Sequence, residues 1–160
     1  MARSAAVPAM SLKSSNRSRH GRARLITRIG LNRKEQNVVH KEEIMKAIGA
    51  HGMWKTRLTH AIETGKIDAA VDTVRMDNQC AFGKWLYGTS LDANDKKSPH
   101  YEECKTLHAK FHQAAAQVVE LAVVGKKREA QQLMSLDGEY TKVSSKLTAA
   151  MSTWVKGMAA

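Results

Sequence analysis

Apolar residues recur at three- and four-residue steps through most of this chain, and no stretch alternates as a strand would. Ile44, Ala47/Ile48, His51, Trp54, Leu58 and Ile62 form one stripe, which predicts a helix from Glu35 to about residue 64, ended by Gly65. A short helix is expected over 67–75. The segment 77–88 holds two glycines among Phe82, Trp85, Leu86 and Tyr87, predicting a tight turn and a short packed helix. Residues 89–98 are polar. Pro99 then suits the first position of a long helix, where its missing N–H costs nothing; that helix runs to about Val124 and breaks at Gly125. A last helix is expected from about Lys127 to Trp154, with Leu133, Tyr140, Leu147 and Trp154 spaced by sevens. Leu136, Val143 and Ala150 lie between them, and Asp137-Gly138 marks a kink. The predicted fold is all-α: an antiparallel four-helix bundle with a short extra helix or turn between its longer rods.

Length and charge then set the organisation. The 160 residues suit one domain plus a tail, expected as a basic leader over 1–34 and a bundle over 35–158. The leader carries nine Lys/Arg and no acid, a composition that predicts disorder; it also resembles a transit peptide, or the remnant of a truncated upstream module or of a misplaced start. The net charge of +11 suggests nucleic acid until it is divided: residues 1–50 carry +8 of it and residues 51–160 only +3. The leader also has no aromatic residue, so nucleic-acid binding through it is a minor alternative. No apolar run reaches eighteen residues, so no membrane insertion is expected. Two cysteines make no disulfide framework, and a reducing cytoplasm fits them best.

The candidate chemistry lies in His51, Cys80, His108 and His112. One thiolate and three imidazoles form a full tetrahedral set for zinc. His108 and His112 are one helical turn apart on a face shared with Tyr101, Cys104, Ala115 and Val119, and His51 falls within the first apolar stripe. His60 points the opposite way, His20 and His40 lie in or near the tail, and His100 starts a helix beside polar sequence. A lone histidine on an apolar face is ordinarily a satisfied core residue, and a buried cysteine a small hydrophobe. Three inward histidines without a compensating carboxylate are costlier to bury. Asp77 is either an acceptor behind a ligand histidine or the cap of the short helix. Phe82 and Trp85 pack the turn and set solvent access. Cys104 is a resolving thiol, an alternative ligand, or core filling.

The spacing of His51-x2-Trp54, Cys80-x-Phe82-Gly83-x-Trp85 and His108-x3-His112, with Asp77-Asn-Gln-Cys80 before the turn, closely resembles the chemoreceptor zinc-binding (CZB) domain family of bacteria. The likeness covers about residues 40–155. It implies a four-helix bundle whose zinc is held by His51, Cys80, His108 and His112. It further implies a homodimer that regulates a chemoreceptor or diguanylate cyclase in trans through zinc level or oxidation of Cys80. The chain departs from such proteins in lacking a receptor coiled coil and a cyclase domain, and Cys104 is outside the family's ligand pattern. Four protein ligands leave no open position for an activated water, so no enzyme is expected. A ferritin-like di-iron site is disfavoured because no glutamate has histidine three residues on. A structural, zinc-pinned interaction module is the plainer alternative.

Overall fold

The computed structural model describes Gly30 and residues 32–158. The leader up to residue 29, with the disorder expected of it, lies outside the described residues. Seven α-helices and one 3-10 turn, with no strand among the described residues, form an all-α helical bundle. None of these helices is long and apolar enough to cross a membrane.

Helix α1 (Arg33–Gly52) opens on a reciprocal cap: Asn32 accepts from the Glu35 backbone N–H, and Glu35 accepts from the Asn32 N–H. Where the apolar stripe predicts one rod to residue 64, the structure interrupts it at Met53 and resumes as α2 (Trp54–Thr64). Met53 keeps helical dihedrals, and its N–H still reaches Gly49 O at 3.3 Å, so the stripe carries on across a small irregularity. Gly49 and Gly52, both poor helix formers, place the weak point there. Gly65 ends α2 in the left-handed region, φ +69°. The helix expected over 67–75 shrinks to α3 (Val71–Arg75). Helix α4 (Ala81–Tyr87) and a 3-10 turn (Asp95–Lys97) follow.

Helix α5 (Pro99–Val123) is the spine. It packs against α2, α3, α6 (Lys127–Leu133) and α7 (Glu139–Gly157), and it buries Phe111, Val118, Val119 and four alanines alongside its two histidines. Its start follows the rule for proline: Pro99 takes the first turn and the Ser98 side chain accepts from the Tyr101 N–H. Helix α1 closes the bundle by packing on α7 and α4.

The continuous last helix does not form. A turn over 134–138, closed by Gly138 N–H to Ser135 O at 3.0 Å, separates α6 from α7. The sevenfold seam survives from Tyr140 through Val143, Leu147 and Ala150 to Trp154, all buried, whereas Leu136 is 91 % exposed. The helix expected to carry both Leu133 and Leu136 ends between them. Leu147→Ala is expected to lower unfolding stability by about 2–5 kcal/mol, and Leu136→Ala to change it by less than about 0.5 kcal/mol. Urea denaturation of both variants checks this.

Candidate metal centre

Four donors from three parts of the chain meet inside the bundle. His51 lies in the last turn of α1, Cys80 immediately precedes α4, and His108 and His112 stand one turn apart on α5. One ligating atom from each lies within 4.8 Å of all the others. A tetrahedral zinc shell, with bonds of about 2.0–2.3 Å, needs donors roughly 3.3–3.8 Å apart. The His108 Nε2 to Cys80 Sγ distance, 3.3 Å, is already of that size. All three imidazoles are buried, His108 completely.

The hydrogen bonds decide which nitrogen faces inward. A carbonyl can only accept, so His51 Nδ1–H donates to Ala47 O and His112 Nδ1–H to Val74 O, each at 2.7 Å. This leaves a lone pair on Nε2 of both rings, and neither Nε2 has a hydrogen-bond partner. A buried acceptor without a partner costs about 1–3 kcal/mol, a cost that coordination to a cation would offset. His108 differs: its Nε2 faces Cys80, and its Nδ1 lies 3.7 Å from Asp77 Oδ2. The donor set and its orientation therefore fit a zinc ion, with the second nitrogens of His51 and His112 anchored on carbonyls and that of His108 facing a carboxylate.

Electrostatics keeps the imidazoles neutral and so able to ligate. Burial, with the neighbouring histidines adding to it, lowers His108 to about 2. Burial lowers His51 to about 4, and it lowers His112 as well. Burial likewise pushes the Cys80 thiol up, against the pull of two backbone N–H groups; a cation at the site would reverse that.

The turn that presents Cys80 explains the Phe-Gly after it. Cys80 itself is the cap of α4, its Sγ accepting from Gly83 N–H at 3.2 Å. The capping role open to Asp77 thus falls to the cysteine, and Asp77 faces His108 instead. Gly83 passes so close to the preceding chain that a Cβ there would lie 1.8 Å from Asp77 O. Phe82 packs edge-on against His51 and His108 with centroids at 5.8 and 5.1 Å, and stacks on Trp85. Trp85 stacks on Phe82 and meets Trp154. Cys80 stays half-buried beside a cleft of about 160 Å³ lined by His51, Trp54, Phe82, Glu43 and Lys46. A wider cleft of about 490 Å³, between Met53 and Asp68, contains none of the four donors. Cys104 is fully buried outside the donor group, and burial together with the Glu103 charge pushes its thiol up to about 12.

His40 is a correction. Expected in or near the tail, it is buried on α1, bonded through Nε2 to Ser90 O at 3.2 Å and set edge-on against Trp85. Its Nδ1 lies 3.9 Å from buried Asp95, which Arg33 engages at 2.6 Å. Extending the Ile44 stripe back by one turn reaches His40, so its burial was readable. Tyr87, whose hydroxyl donates to Asp77, carried no such signal.

Residues 51–119 match the family model of the chemoreceptor zinc-binding domain, a span that begins at the first donor histidine and includes the other three donors. No curated protein and no solved structure matches the chain significantly.

Two outcomes test this geometry. Gly83→Ala is expected to displace the Cys80 turn and to weaken metal binding at least tenfold, read by chelator competition. The histidine shifts carry a definite sign: the unfolded chain binds protons below about pH 6.5 while the folded imidazoles resist them. Stability of the metal-stripped protein should hold above that pH and fall as acid is added, through pH 4 for His51 and towards 2 for His108. Each histidine contributes up to about 1.4 kcal/mol per pH unit, measured by denaturation at stepped pH.

Proposed function

We propose that this protein, whose residues 51–119 match the chemoreceptor zinc-binding domain, is a zinc-binding regulatory domain that controls a signalling partner. The observation that carries this reading is the convergence of His51, His108, His112 and Cys80, with two Nε2 lone pairs buried and otherwise unpaired. Bound there, zinc would supply a local positive charge that holds Cys80 as a thiolate and joins α1, the Cys80 turn and α5 at one point. Four protein donors fill such a shell, so the role is regulatory rather than enzymatic.

The chain's own residues then decide the response. Ala47 O and Val74 O hold two rings in the ligating tautomer, and Phe82 and Phe111 keep the donors dry. Without a cation, the Nε2 lone pairs of His51 and His112 would stay unpaired beside the Cys80–His108 contact, which favours loosening of the Cys80 turn and a shift in how α4 sits on α1. A two-electron oxidant such as a peroxide would act on the same turn. It would transfer oxygen to Cys80, giving the sulfenic acid while being reduced itself to water, and so weaken ligation. The half-buried position of Cys80 beside its cleft supports that access. By its family likeness the partner is a chemoreceptor or a diguanylate cyclase met in trans in the cytoplasm, with the domain acting as a homodimer.

Zinc content and affinity of the full chain, with and without Cys80→Ala, test the reading. One zinc per chain, weakened at least a hundredfold by the substitution, is expected; no zinc, or binding indifferent to Cys80, overturns it.

A further inference from the structure

The geometry points to Tyr87 as a positioning residue for metal binding, acting through Asp77 on His108; the inference rests on the zinc reading above. The three histidines are not anchored alike. His51 and His112 give Nδ1–H to backbone carbonyls at 2.7 Å, anchors fixed by the helices that carry them. His108 has no carbonyl. Its Nδ1 is buried without a hydrogen-bond partner, and the acceptor facing it is Asp77 Oδ2 at 3.7 Å.

That same Oδ2 accepts the hydroxyl of Tyr87, the last residue of α4. Asp77 sits on a turn with its side chain 21 % exposed, where a free carboxylate would rotate towards water. The Tyr87 hydroxyl holds the oxygen over His108 instead. A carboxylate behind a ligating imidazole fixes the ring and strengthens its donor nitrogen. His108 is thus the ligand whose donor strength depends on side chains, and through Tyr87 on the position of α4. Cys80 caps that helix and Tyr87 closes it, so both ends of α4 act on the site: one supplies a ligand, the other orients one.

The test uses the full chain and four proteins: wild type, Tyr87→Phe, Asp77→Asn and the double variant. Zinc dissociation constants come from chelator competition, ligand-field spectra from cobalt(II) loading, and folding from melting of the metal-free chain. Asp77→Asn is expected to weaken zinc about 10–100-fold. Tyr87→Phe should weaken it about three- to tenfold, the worth of one hydrogen bond, and shift the cobalt bands. The double variant should match Asp77→Asn alone, because Tyr87 acts through that carboxylate. Wild-type affinity in Tyr87→Phe, or losses that multiply in the double variant, would overturn the inference. So would a loss that merely follows a lower melting temperature with an unchanged cobalt spectrum. Zinc binding that depends on Cys80 but ignores Tyr87 overturns this inference alone, whereas a wild-type chain that binds no zinc overturns both readings.

Discussion

Three neutral imidazoles packed into one apolar core are the constraint on which the rest of this structure depends. Each ring must satisfy two nitrogens or leave one bare, and all three rings are buried. Two rings settle one nitrogen on a backbone carbonyl and leave the other bare, pointing at a shared centre. Such an arrangement is unfavourable as hydrophobic packing and favourable as a coordination shell. The bundle is therefore built around a polar knot that makes energetic sense when a cation accepts the bare lone pairs.

The surrounding elements serve that knot. Helix α5 contributes two donors because a spacing of four residues places both side chains on one face, and its four buried alanines leave room for α2, α3 and α7 to pack against it. Short α3 is present to offer one carbonyl, that of Val74, to His112. The Cys80 turn is drawn tight by Gly83 against Asp77, a contact that no side chain at 83 would permit. Phe82 then seals two of the imidazoles, and Trp85 supports Phe82 in turn.

A second polar group, with His40 and Asp95 buried and Arg33 exposed, stands behind this wall. His40, Asp95 and Arg33 tie the beginning of α1 to the loop after α4, and His40 meets the face of the wall through Trp85. The aromatic series His40, Trp85, Phe82, His108 runs without interruption from one polar group to the other. The two groups thus share a rigid partition, and the segment 77–98 is held at both of them.

The sequence by itself determined the helical class, the position of the long helix after Pro99, and the inward faces of His51, His108 and His112, because helical periodicity and i, i+4 spacing are local properties of the chain; Cys80 was marked by its own motif. The aromatic packing of the Cys80 turn was legible for the same reason, in the closeness of Phe82 and Trp85 to the cysteine. Only the tertiary structure decided the partners of buried His40 (Ser90 and Asp95), the exposure of Leu136, and the pairing of Tyr87 with Asp77. The physical reason is common to all three. Each depends on which residue from a distant or folded-back segment occupies the neighbouring space, and a pattern of single residues along one helix carries no information about that.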